Sequence, residues 1–322
     1  MAVFTPVSDD AASALLARYD LGELISLRGI TAGIENTNYF LNTTRGEYVL
    51  TLFEKLGPEQ LPFYIELMHH LAGNGIPVPH PQTLRDGTRL TTLNGKPCAI
   101  VTRLPGGYEP APSARHCHLI AHTQAQAHLA ARNFALQQNN LRGLAWWEAT
   151  TPEVLPFLTA GQAELLRTEL ETQRVFATTA DYANLPRGAV HCDLFRDNVL
   201  FAGTSEVPAM GGIIDFYFAG CDTWLFDVAV AVNDWCIQRE TGVFIPELLQ
   251  AWLQAYAEIR PFTEAEKRAW PTMLRAAALR FWISRLYDYH LPRAAQTLKP
   301  HDPGHFERIL RLRRGTPAAP LD

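Results

Sequence analysis

The stretch HCDLFRDNVLF, residues 191–201, constrains this chain more than any other. Apolar Ala189 and Val190 run into it, and apolar Val199 to Phe201 run out. Between them lies a polar loop with two carboxylates, Asp193 and Asp197, and one carboxamide, Asn198. Further on, the apolar pair Ile213 and Ile214 delivers another carboxylate, Asp215, followed by Phe216. Each carboxylate therefore follows a short buried strand. Phosphoryl transfer from a nucleotide needs such a set. One Asp orients and deprotonates the attacking hydroxyl, while an Asn five residues on and an Asp from a separate strand hold Mg²⁺ against the phosphates. An isolated H-x-D carries little weight, whereas two such motifs in order carry a good deal.

The rest of the chain sets bounds on that chemistry. Its 322 residues suffice for two lobes with a sizeable core. A net charge of −5 and the lack of a long basic run argue against nucleic acid as main partner. Arg311, Arg313 and Arg314 read as a solvated helix end. The five cysteines show no C-x-x-C spacing, which fits reduced thiols and a cytoplasmic location. The N-terminus lacks the basic and apolar regions of a signal peptide, and no apolar run is long enough to span a membrane.

In chain order, Ser8 reads as the N-cap of a short helix. A strand near Ile25 to Ile30 leads into a loop bearing Gly29, Gly33, Asn36 and Asn38. Glycines there let backbone N–H groups approach phosphate oxygens, although a Gly-bearing hairpin explains the stretch too. Glu47 to Phe53 is a β-rich strand. Its register puts Thr51 where a phosphate-binding lysine is expected, and Lys55 lies four residues beyond. Leu61 to Leu71 reads as a helix carrying Glu66, a candidate acidic partner for such a cation. Turn signals at Asp86-Gly87 and Asn94-Gly95 frame short strands, and Cys98 to Val101 reads as a buried strand. The break from Thr102 to Gly107 reads as a hinge between a lobe of residues 1–103 and one of residues 104–322.

The second lobe reads as largely helical. Helices are expected from Ser113 to Phe134, Ala160 to Tyr182, Val228 to Cys236, Pro246 to Ile259, Thr263 to Tyr289 and Pro303 to Arg313, with Trp146 and Trp147 in a loop. His118 and His122 have a metal-compatible spacing but no supporting ligands in the sequence, so they read as incidental helix residues, as does His128. The expected class is α+β: a small antiparallel β lobe with a helix, then a larger helical lobe.

GIENTNYF, YVLTLFEKL, HCDLFRDNVLF, IIDFYFA, NDWC and ALRFWISRL occur in an order that resembles the aminoglycoside phosphotransferase/choline kinase superfamily, most nearly its bacterial homoserine kinases. The likeness covers almost the whole chain and implies a bilobal protein-kinase-like fold. In that branch the Thr51 position also lacks the lysine, so its absence here is expected. The resemblance implies ATP and Mg²⁺ as cofactors and L-homoserine as the phosphoryl acceptor, a reaction of threonine biosynthesis. Asp193 would be the base, and Asn198 and Asp215 the metal ligands. Residues Gly29 to Tyr39 would cover the phosphates, Leu200 and Ile214 would flank adenine, and Thr102 and Leu104 backbone groups would meet its edge. His191 would orient the loop, and Asp227 would hydrogen-bond backbone nearby.

An amino-acid substrate needs an arginine for its carboxylate, and an acid or carbonyls for its ammonium. Arg196, Arg280 and Arg285 are the candidate cations, with Asn233, Asp234 and Trp235 on the other side. Two alternatives stand beside this reading. One is a kinase for choline, an aminoglycoside or a thiosugar; the other is a nucleotide-binding module without transfer activity. The first is separated by comparing substrates, the second by looking for transfer at all.

Overall fold

The computed structural model describes residues 3–31, 36–291 and 301–321, and the chain divides into two compact units. The first holds residues 1–105 together with Gly211–Ile214. Helix α1 (Asp9–Leu16) starts where the Ser8 side chain accepts the Ala11 N–H, with Asp9 and Asp10 in its first turn. Strands β1 (Leu24–Gly29), β2 (Thr37–Thr43) and β3 (Gly46–Leu52) follow, then helix α2 (Leu61–Gly73), then β4 (Thr91–Leu93) and β5 (Lys96–Thr102). The sheet order is β1-β2-β3-β5-β4, with every pair antiparallel. Burial alternates strictly along β2, as a half-buried strand requires. Tyr39, Leu41, Leu50, Leu52, Cys98 and Ile100 meet Leu15 and Leu16 of the N-terminal helix, and Tyr19 just after it, to form one core. Asn94 and Gly95 both take positive φ, 49° and 76°, and close the β4–β5 hairpin.

The boundary differs from the 103/104 division expected from sequence. The first unit runs to Pro105 and takes back Gly211–Ile214, because Ile213 N–H donates to Pro77 O at 2.8 Å. Gly212 is needed there: a Cβ would sit 2.5 Å from Leu104 Cδ1 and 2.6 Å from Pro77 O.

The second unit holds residues 106–210 and 215–322. Its helices are α3 (Ala114–Ala130), α4 (Leu144–Val154), α5 (Ala160–Ala177), α6 (Ala180–Ala183), α7 (Trp224–Trp235), α8 (Pro246–Ile259), α9 (Glu264–His290) and α10 (Gly304–Gly315). The ladder of β6 (Arg187–Val190) and β9 (Gly220–Thr223) belongs to it as well, and β7 (Val199–Gly203) pairs with β8 (Pro208–Ile213). Every residue of α7 is buried, polar ones included, so this helix is the axis of the unit. Helix α9 packs against it, and α10 and α4 pack against α9. A capping box of Thr263 and Glu266 starts α9.

Two helix expectations need correction. Trp146 and Trp147 lie in α4, not a loop; Trp147 is buried and its indole donates to Arg142 O at 2.6 Å. Packing against α9 outweighs the local Thr-Thr-Pro signal. The single helix expected from Ala160 to Tyr182 is two, broken where Thr178 caps one and Thr179 accepts the Tyr182 N–H to start the other. Among the described residues, no helix is long and apolar enough to cross a membrane.

Candidate active site

The site is built around the loop after β6. Among the described residues only three non-glycines have positive φ, and two of them are Cys192 (63°) and Asp215 (62°). One immediately precedes Asp193, and the other is itself a predicted metal ligand. Such backbone conformations are costly for ordinary residues and persist where surrounding contacts over-determine them.

Those contacts come from α7. The Cys192 N–H donates to Asp227 Oδ1 at 2.6 Å. The other carboxylate oxygen accepts from Gln124 Nε2 at 2.8 Å and lies 3.1 Å from His128 Nε2. His128 in turn lies 2.7 Å from the Tyr256 hydroxyl and stacks on Trp224. Burial alone would raise the Asp227 carboxyl, but the hydrogen bond and charge of His128 outweigh it and hold the group below the usual carboxylate range. A second fastening holds the loop's far side. Arg196 N–H and Nε both donate to Asp234 Oδ2, at 2.9 and 3.1 Å, and its Nη1 donates to Pro110 O at 2.9 Å. The Trp235 indole donates to Leu194 O at 3.0 Å. His191 Nδ1 accepts the Asp193 N–H at 3.2 Å, and its ring lies edge-on to Phe216.

Asp193 stands within this frame. Burial pushes its carboxyl up to about 7; Arg280 and Arg285 oppose that rise, and the like charges of Asp215 and Asp197 add to it. Asn198 Nδ2 donates to Asp193 O at 2.8 Å. That bond fixes the amide so that Oδ1 is the atom left for a cation. Asn198 Oδ1 and the exposed Asp215 carboxylate offer hard oxygen donors, which suit Mg²⁺. Among the described residues, no three His, Cys, Asp or Glu side chains gather as a metal site. A metal carried mainly by substrate phosphates and water needs no such cage. His118 and His122 only stack, with ring centroids 6.3 Å apart.

Several of the expected substrate contacts have partners within the fold. Arg196 is consumed by Asp234. Asn233 donates to Leu274 O at 2.8 Å and accepts from Arg313 Nε at 3.0 Å, tying α7 to α9 and α10. Trp235 is fully buried between Phe201 and Trp252. Arg313 is no solvated helix end: it lies over the Phe244 ring at 3.4 Å and donates to Gly242 O. Arg280 and Arg285 stay uncommitted, since among the described residues neither makes a hydrogen bond or ion pair. Both bear electrostatically on Asp193.

Comparison with known proteins identifies the family. Residues 26–262 match the phosphotransferase enzyme family APH. The chain belongs to this family. A homoserine kinase of Paraburkholderia phymatum is 57% identical over 317 residues, covering 97% of this chain and 98% of that one. One from Paraburkholderia xenovorans is 56% identical over 324 residues, covering 99% and 98%. Among solved structures, an amicoumacin kinase in complex with AMP-PNP, Ca²⁺ and Ami covers 96% of this chain and 92% of its own, with a TM-score of 0.68 at 15% identity. Spectinomycin phosphotransferase in complex with ADP and spectinomycin covers 96% and 95%, with a TM-score of 0.64 at 14% identity. At these identities the likeness is one of fold, α+β and protein-kinase-like. The chain is thus a phosphotransferase-family enzyme.

In the first unit of this phosphotransferase, Thr51 and Asn38 face each other across β2 and β3. The Thr51 hydroxyl donates to Asn38 Oδ1 at 2.7 Å, which leaves the Asn38 amide N–H groups as donors. Gly29 ends β1 opposite Tyr39, and Asn36 is buried just before β2. Gly33 lies outside the described residues. Lys55 is exposed past the end of β3. Glu66 pairs with Arg89 at 2.9 Å, so its cation is a residue that sequence reasoning did not single out. The Thr102 N–H donates to His80 O at 3.1 Å and is therefore spent within the unit. Leu104 packs on Gly212, and Leu200 and Ile214 are half-buried. Sequence reasoning also missed Gln124 and His128 as supports of Asp227. Their partner is 103 and 99 residues away, and nothing local signals such a contact.

Proposed function

We propose that this enzyme transfers the γ-phosphoryl group of ATP to the side-chain hydroxyl of L-homoserine, giving O-phospho-L-homoserine for threonine biosynthesis. The near full-length similarity to homoserine kinases carries the reading. Asp193 accepts the hydroxyl proton as the oxygen attacks phosphorus in line with the departing ADP. A carboxyl with affinity raised to about 7 is a better proton acceptor than an ordinary one, and the Asp227 fastening keeps its loop from drifting. Asn198 and Asp215 would hold Mg²⁺, which supplies charge neutralisation at the phosphate oxygens when bound. Gly29, Asn36, Asn38 and Thr51, with Leu104, Leu200 and Ile214, are the proposed nucleotide contacts.

The test is turnover by the purified protein with ATP and Mg²⁺ on a panel of L-homoserine, choline, an aminoglycoside and a thiosugar. L-Homoserine is expected to lead in kcat/KM by about 100-fold or more, the range that matched polar contacts supply. A faster rate with choline overturns the substrate. ATP binding without transfer to any of these alcohols overturns the activity.

A further inference from the structure

Three arginines are buried among the described residues: Arg196, Arg260 and Arg280, each 4–5% exposed. Two have carboxylates. Arg196 pairs with Asp234, and Arg260 with Glu266 and the Tyr256 hydroxyl. Arg280 has none. Its Nε is a buried donor without a partner. Among the described residues no carboxylate oxygen lies within 4.0 Å of its guanidinium. Its contacts are aromatic faces, Phe281 at 3.7 Å and Phe218 at 5.5 Å from ring centroid. Phe218 closes the turn that Asp215 opens.

A buried guanidinium carries a large desolvation penalty unless an anion completes it. Here the neighbouring charges sharpen that need. Arg142 and Arg285 bear on Arg280 as like charges, and Asp193 is the foremost favourable one. The arrangement is a buried guanidinium that bears on Asp193 but has no carboxylate of its own.

We propose that Arg280 is the anchor for the α-carboxylate of an amino-acid substrate, whose hydroxyl then reaches Asp193. This rests on the proposed homoserine kinase activity and deepens it. In homoserine four bonds separate the carboxylate carbon from the hydroxyl oxygen, a span of at most about 5 Å. An anchor must therefore sit near the base; Arg280 lies 5.5 Å from the Phe218 ring in the turn that follows Asp215, and Asp193 is the foremost favourable charge upon it. A planar guanidinium matches a carboxylate through two parallel N–H donors, and the unpartnered Nε is one of that pair. Such an anchor would select amino acids over amino alcohols that lack the carboxylate.

A phosphate of ATP is the other anion that a buried guanidinium can hold, and the experiment separates the two. Initial rates are measured for wild type, Arg280→Met and Arg280→Lys, varying L-homoserine and ATP independently. Inhibition by L-2-aminobutyrate, which keeps the carboxylate and lacks the hydroxyl, is measured alongside. Arg280→Met is expected to raise the KM for L-homoserine about 100-fold and abolish inhibition by L-2-aminobutyrate, with the KM for ATP within about threefold of wild type. Arg280→Lys should recover part of the loss, since it restores charge without the planar fork. Both constants are independent of the fraction of enzyme that folds. An unchanged KM for L-homoserine, or an equal rise in the KM for ATP, overturns the assignment. Failure of wild type to turn over L-homoserine overturns the proposed function and this assignment with it; wild-type turnover with an unaffected Arg280→Met overturns the assignment alone.

Discussion

Asp227 and Asp193 are two aspartates serving one loop, and their surroundings pull them in opposite directions. Asp227 is fully engaged by the Cys192 N–H, Gln124 and His128, and its carboxyl is held below the ordinary range despite deep burial. Asp193, one residue past Cys192, is pushed up to about 7 by burial. The first is paired for stability; the second is left short of partners where we propose the reaction occurs. The arginines repeat the pattern, with Arg196 locked to Asp234 and Arg280 without a carboxylate. The loop thus carries groups that are costly to the fold beside groups that secure it. Strongly perturbed groups without structural partners mark functional sites more reliably than perturbation alone.

Apart from Asp193, the largest effect on turnover should come from an exposed carboxylate. Asp215 is exposed, so Asp215→Asn is expected to lower kcat by about 1,000-fold with little change in the urea midpoint. A stability loss comparable to that of a core variant would place Asp215 on the structural side. Asp227→Ala should do the reverse. Removing it leaves the Cys192 N–H and Gln124 amide buried without acceptors, a cost of about 3 kcal/mol seen in chemical denaturation. Activity should fall with it, and Asp227→Asn should recover part of both.

The smallest effect is the most discriminating. A carboxyl depressed in the folded state adds stability above its unfolded value near about 4 and loses it as pH falls through the lower folded value. The gap between wild type and Asp227→Ala should therefore narrow on acidification. A carboxyl raised in the folded state does the opposite: its ionised form is disfavoured as pH climbs from about 4 towards about 7. In metal-free protein, Asp193→Asn should be as stable as wild type at pH 4 and slightly more stable at pH 8. Parallel pH profiles for the two variants would erase the contrast between the aspartates.

Much of the architecture was legible because it is encoded locally. Alternation along Thr37–Thr43, the Asn94-Gly95 turn and the Pro246 helix start each state their structure within a few residues. The HCDLFRDN and IIDF stretches point to the proposed catalytic loop for the same reason. What escaped depends on distant partners. Asn233 and Trp235 read as pocket residues because polar and aromatic groups near a motif invite that reading, yet each is spent on packing elements far off in sequence. The α4 tryptophans read as loop because their helix is held by α9 rather than by its own propensity. Arg196, Arg280 and Arg285 were equivalent candidates until Asp234 claimed the first.

The central claim is that Asp193 activates the acceptor hydroxyl. It is tested most directly by single-turnover transfer from ATP to L-homoserine, with O-phospho-L-homoserine followed by phosphorus NMR, in wild type and Asp193→Asn. The account predicts a loss of about 1,000-fold or more in the transfer rate for the variant, with nucleotide still bound and the protein folded. Transfer by Asp193→Asn at the wild-type rate would contradict it.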